Sequence, residues 1–192
     1  MTVKSSVFTL AVVACLALSA CESSEEKAAK HFQSGMSLLE SGDVSRAVVE
    51  FKNVLKLNAI HKEARVELAR IELERGFLGE AIGHYLALAE VDPDNVEARR
   101  SIAEIAIESS DWELVEYHGR RAIELDPEDA RHKAIQTTLD YKNAVQSGRD
   151  AGRRDAAEQA QAIVMEIPES IIARRIIVDN LIRESDFAEA LT

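Results

Sequence analysis

Cysteine, proline, glycine, aromatic residues and positive charge are all in short supply along these 192 residues. Three prolines and eight glycines leave little of the punctuation that the many short strands of an all-β fold require. Aromatic residues amount to 5%, and Ala, Glu, Leu, Ile and Arg dominate in their place, which is a helical composition. Lysine and arginine number 23 against 34 acids, for a net charge of −11. A phosphate backbone is repelled by such a field, so no nucleic acid is expected as partner. Two cysteines do not supply the clustered thiolates of a zinc site.

Catalytic patterns are missing as well. Five histidines occur, His31, His61, His84, His118 and His132, and none forms H-E-x-x-H. No Gly-x-Ser-x-Gly and no phosphate-cradling glycine loop occurs, and the carboxylates recur at helical spacing on polar faces. An active site needs convergent groups in a pocket. The expectation is therefore a non-enzyme, with no catalytic residue, no metal site, no cofactor and no small-molecule substrate. His84 and His118 are expected to be solvated surface histidines.

One long apolar run is present. Val7 to Leu18 (VFTLAVVACLAL) follows Lys4 and spans twelve residues, the length of a signal-peptide core and too short for the ~20 residues of a membrane-spanning helix. It ends in Leu-Ser-Ala-Cys, residues 18–21. An ordinary secretory cut after Ala20 would need a small residue where Leu18 stands. Leu-Ser-Ala-Cys resembles a bacterial lipobox instead, with 1–20 as signal peptide and Cys21 as the lipidated residue. Loss of 1–20 removes Lys4 and no acid, taking the charge from −11 to −12, and leaves Cys21 as the single thiol. A signal peptide with a chance cysteine is the alternative. The resemblance implies three acyl chains, palmitate among them, and at roughly 0.8 kcal/mol per buried methylene these anchor stably. Glu22 after the cysteine favours, by resemblance to lipoprotein sorting signals, a periplasm-facing place on the outer membrane of the cell envelope over the inner membrane. Residues 21–27 read as a tether before a helix at Ala28, reaching at most ~25 Å.

The rest of the chain repeats. Asn58, Asp92 and Asp126 fall 34 apart, as do Ala59, Pro93 and Pro127. The same offset superposes "SGDVSRAVVEF", "RGFLGEAIGHY" and "SSDWELVEYHG". A helical hairpin explains the spacing: Gly42 and Gly76 stop first helices in a left-handed residue, and Pro93 and Pro127 stop second helices. Small Ala47 and Ala81 let two helices approach, while Phe51 and Tyr85, four residues on, share their face.

These residues resemble the tetratricopeptide repeat: small at position 8 (Gly35, Ala69, Ala103), large at position 7 in two repeats (Leu68, Ile102), small at 20, aromatic at 24, proline at 32. Position 4 carries His31, Arg65 and Arg99 rather than Trp. Position 24 of the third repeat is Gly119, whose space Trp112 is expected to fill. The resemblance implies an all-α solenoid of helical hairpins in a right-handed superhelix, with repeats at 28–61, 62–95 and 96–129.

Beyond 129 the period slips. Pro168 follows Pro127 by 41 residues, seven more than the repeat. One added turn per helix predicts a lengthened hairpin over 130–170, with helices near 130–147 and 153–167 and a projecting elbow of solvated Arg149, Arg153 and Arg154. A fifth unit opens at Ile171 and "SDFAEAL" places Ala190 at position 20, so 171–192 reads as a truncated repeat and the chain as a fragment of a longer repeat protein. Docking of that end on another chain is the alternative.

In this family the first helices line a groove through positions 2, 5, 9, 12 and 13. Carried onto this chain, the groove comprises Phe32, Met36 and Leu39, then Val66, Arg70 and Leu73, then Arg100, Glu104 and Ile107. It is apolar at the membrane-proximal end and acidic, with two arginines, further along, suiting a peptide with apolar and basic residues. Packing of Phe32 and Met36 against the N-terminal segment is the alternative. The carboxylate clamp of some relatives is disfavoured, because Phe32, Met36, Glu67, Glu97 and Ser101 stand at its positions. Lipobox plus repeats resembles lipoproteins of exopolysaccharide export, exosortase-associated or pilus-assembly loci. The implied function is a non-catalytic, lipid-anchored scaffold for protein partners in the envelope, with a docking arm of a longer enzyme as rival.

Overall fold

The computed structural model describes residues 22–184. The signal segment, Cys21 and "SDFAEAL" lie outside the described residues. Among the described residues every regular element is helical. They fall into two compact units, one through Ile71 and one from Glu72 onward.

The first unit holds α1 (Ser24–Glu40), α2 (Val44–Leu57) and most of α3 (Lys62–Glu74). Helix α1 starts four residues ahead of the expected Ala28, so the stretch taken as tether is partly helical. The cause is a capping box: Glu26 N donates to Ser23 Oγ at 3.1 Å and Ser23 N donates back to Glu26 Oε2 at 2.8 Å. Helices α1 and α2 enclose Ala28, Ala47, Val48, Phe51 and Val54, with Ala64, Leu68 and Ile71 of α3 completing the core. Phe51 is fully buried, a contribution of about 1.5–3 kcal/mol. The close approach rests on Gly35, where a Cβ would stand 2.6 Å from Phe51 Cε1.

The second unit continues with α4 (Leu78–Val91) and α5 (Val96–Ser109). The next helical rod comprises α6 (Trp112–Leu114), a π-helical stretch Val115–Gly119 and α7 (Arg120–Leu125). Then follow α8 (Ala130–Gln146), α9 (Asp150–Glu166) and α10 (Ile171–Arg183). Side chains cap the first helices in the same way: Asn95 accepts from Ala98 N, Asp129 from Arg131 N and Ser170 from Ala173 N. Ala103, Ala106, Ile107, Val115, Ile135 and Leu139 form one core cluster; Tyr141, Ala156, Ala157, Ala160 and Ile176 belong to a second.

Among the described residues the elbows are built alike. Gly42, Gly76, Ser110 and Gly148 take φ of 80°, 77°, 59° and 65°. The residue after each donates its N–H to a carbonyl five back: Asp43 to Leu38, Phe77 to Glu72, Asp111 to Ala106 and Arg149 to Ala144, at 2.8–2.9 Å. Ser110 does the work of a glycine at the third elbow.

Helices α8 and α9 have 17 residues each against 14 in α4 and α5. Of the seven added residues, four lie between Pro127 and Gly148 and three between Gly148 and Pro168, by comparison with the 17-residue intervals from Pro93 to Ser110 and from Ser110 to Pro127. Helix α9 begins at Asp150, three residues before the expected start, because the elbow closes within Ser147, Gly148 and Arg149.

Candidate functional site

Within the second unit the first helices α5, α8 and α10 pack in chain order. Arg100, Glu104 and Glu108 recur at four-residue spacing and so share one side of α5. The Asp129 cap starts α8 just before Arg131, and the Ser170 cap starts α10 at Ile171 and Ile172. Together these helices bound a cleft of about 240 Å3. Its walls are Glu104 and Glu108 of α5, Arg131 and Ala134 of α8, and Ile171 and Ile172 of α10, closed below by Ile167, Glu169 and Ser170.

Glu104 in the cleft wall belongs to an unfinished ion pair with Arg100, which does not itself line the cleft. Arg100 Nε stands 3.9 Å from Glu104 Oε1, too far for a hydrogen bond, and this buried Nε has no acceptor. Burial pushes the Glu104 carboxyl above its ordinary pKa, opposed by the charges of Arg100 and Arg131. Ile171 at the mouth is 63% exposed.

Ile107 departs from the expected groove. It is buried against Val115, Ile135 and Leu139, because α8 covers the side of α5 that carries it. Leu73, the equivalent residue one repeat earlier, is exposed. In the first unit Phe32 is half-buried: its ring lies 5.7 Å from Phe51 and stacks on His61 at 5.0 Å. Phe32, Met36 and Leu39 all pack against the core of α1, α2 and α3. Val66 is half-buried, and Arg70 is exposed with Glu67 at 3.6 Å. A second cleft, of about 340 Å3, opens in this unit between Glu25, Ala29, Ile60, His61 and Glu63.

Other expectations are corrected. His118 is buried, not solvated, and its Nδ1 accepts from Arg99 Nη1 at 3.0 Å. Burial, and next the Arg99 charge, pull its pKa down to about 4, so the ring is neutral at pH 7. Arg99 stands where the repeat usually has Trp; its Nε donates to Pro93 O at 2.9 Å, and His118 satisfies a second donor. Arg153 is also buried: it donates to the Asn180 side chain and, at 3.4 Å, to Glu184 Oε1, so the end of α10 covers this one arginine of the expected solvated elbow. Arg149 and Arg154 are exposed. The space over Gly119 belongs to Ile135, whose Cγ2 would lie 2.8 Å from an added Cβ. Trp112 instead sits under Lys142, whose Nζ is 4.7 Å from its ring.

Asp126, Asp129 and His132 bring three metal-ligating groups within 4.8 Å of one another. Two of them hold the fold: Asp129 caps α8, and His132 Nδ1 lies 2.6 Å from the Asp126 carbonyl oxygen. No described helix is long and apolar enough to cross a membrane.

Alternating helices, left-handed elbows and a cleft between first helices define a repeat architecture. Residues 38–105 match the family described as tetratricopeptide repeat. The chain has the tetratricopeptide-repeat fold. A tetratricopeptide repeat protein from Parabacteroides merdae superposes with TM-score 0.64 at 15% identity, over 85% of this chain and 61% of its own, so the chain spans less than two thirds of that relative. MamA superposes with TM-score 0.64 at 18% identity, over 87% of both chains. YrrB, a tetratricopeptide-repeat protein with an unusual peptide-binding site, gives 0.60 at 14% identity over 84% of this chain and 79% of its own. No curated protein matches the sequence.

Proposed function

We propose that this tetratricopeptide-repeat chain is a non-catalytic, lipid-anchored scaffold that binds protein or peptide partners at the cell envelope. The observation that carries the binding role is the cleft of α5, α8 and α10, with Ile167, Ile171 and Ile172 on one wall and the charges of Glu104, Glu108, Glu169 and Arg131 around them. Polypeptide segments are recognised by clefts that seat apolar side chains beside charges of complementary sign. The similar fold of YrrB, which carries a peptide-binding site, supports the reading.

Leu18-Ser19-Ala20-Cys21 supports the anchor and a periplasm-facing position on the outer membrane. There the chain would organise an export or assembly machine, with exopolysaccharide export ahead of pilus assembly. The anchor is tested by Cys21→Ser with membrane fractionation. Movement of the protein to the soluble fraction is the expected result; undiminished pelleting with membranes defeats lipidation. Binding is tested separately by placing a photo-crosslinking residue at Arg131 in envelope extracts, where adducts to a discrete set of proteins are expected.

A further inference from the structure

The chemistry of the cleft narrows the class of segment it takes. At about 240 Å3 it falls below the ~300–1,000 Å3 of a site for a drug-sized molecule, and it suits one or two protruding side chains. Three carboxylates, Glu104, Glu108 and Glu169, line it against a single cation, Arg131. Glu104 has Arg100 as its nearest cation, 3.9 Å away. An incoming ammonium or guanidinium would pair with the exposed carboxylates of Glu108 and Glu169 and add a cation near Glu104, which Arg100 approaches only to 3.9 Å.

The opposite wall asks for something different. Ile171 and Ile172 form the first turn of α10, and Ile167 lies beside them. Apolar surface at this mouth is offered to a branched aliphatic side chain. The start of a helix favours acceptors, and Arg131 adds donors on the same side. Peptide carbonyl oxygens satisfy both without a ligand carboxylate.

We infer that the α5–α8–α10 cleft takes an extended segment in which an aliphatic residue seats on Ile171 and Ile172 while a neighbouring lysine or arginine reaches Glu104, Glu108 and Glu169. This rests on the peptide-binding reading above and specifies its charge and apolarity. A segment rich in aspartate or glutamate is disfavoured, because it would meet the carboxylates of Glu104, Glu108 and Glu169 against the single cation Arg131.

The test uses the full chain and three fluorescent twelve-residue peptides: alternating leucine and lysine, leucine and glutamate, and serine and lysine. Anisotropy at 0.15 M salt should show saturable binding of the leucine–lysine peptide, at least tenfold tighter than either counterpart. Glu169→Lys, in the exposed loop before α10, should weaken it about tenfold, and Glu104→Gln similarly, with circular dichroism unchanged. Ile171→Asn should erase the preference for leucine over serine. Equal or tighter binding of the leucine–glutamate peptide overturns the inference and leaves peptide binding standing. So does leucine–lysine binding that Glu169→Lys and Glu104→Gln leave intact. Failure of all three peptides to bind overturns the inference; absence of crosslinks from Arg131 as well defeats the peptide-binding reading with it.

Discussion

The guanidinium of Arg99 and the ring of His118, nineteen residues apart, meet across 3.0 Å inside the third repeat. His31 and Glu50 meet across the same interval in the first repeat, at 2.5 Å. One pair of repeat positions, four and twenty-three, thus ties first helix to second with polar contacts where an indole is usual. The two pairs differ in burial. The Arg99–His118 pair is closed off from water, whereas His31 and Glu50 are half-buried.

That burial makes His118 sensitive to acid. Its pKa falls from 6.5 to about 4 on folding, so the unfolded chain binds the extra proton first. The stabilisation is complete above the unfolded value and is lost as pH falls from about 6.5 towards 4. Between pH 7 and 4.5 the chain should lose about 2–3 kcal/mol through this group. His118→Gln, which retains an acceptor for Arg99, should flatten the decline measured by urea unfolding at the two pH values. An unchanged pH slope removes His118 as its source.

Gly35 and Phe51 offer a packing test. A methyl at Gly35 would press on the Phe51 ring from 2.6 Å. Overpacking costs about 1–3 kcal/mol, against about 1 kcal/mol gained from helix propensity, so Gly35→Ala should destabilise by up to about 2 kcal/mol. In a Phe51→Leu background the same change should be neutral or favourable. Equal costs in both backgrounds, measured by thermal unfolding, rule out the clash.

Arg153 should behave as a buried residue. Arg153→Met leaves the buried Asn180 side chain without its donor, at a cost of about 2–4 kcal/mol. Arg153→Met with Asn180→Leu should recover much of that. Arg154→Ala, one residue on and exposed, should change stability by less than about 0.5 kcal/mol.

Legibility in the sequence followed locality. The 34-residue offset located the hairpins because elbow and stop residues (Gly42, Gly76, Pro93, Pro127) act through their own backbone. The helix start at Ser24 is equally local, written in Ser23 and Glu26, four residues ahead of the expected Ala28. Non-local pairings were not legible. Arg153 finds Asn180 and Glu184 27 and 31 residues away, and no periodicity announces that. Ile107 is covered by Ile135 and Leu139 although Leu73, at the matching position, is exposed. Arg131 of the cleft occupies position two of the fourth hairpin, aligned with Ala29, Glu63 and Glu97.

The four-plus-three division of the added residues around Gly148 bears on how this hairpin tolerates change. Each helix gains three residues, about 4.5 Å, and the fourth added residue, Ser147, falls in the turn, so the two arms end level. An insertion in one arm alone would leave nothing for its far end to turn against. Gains and losses of length here are expected to arrive as matched pairs, one on each side of the bend, leaving the layers underneath undisturbed.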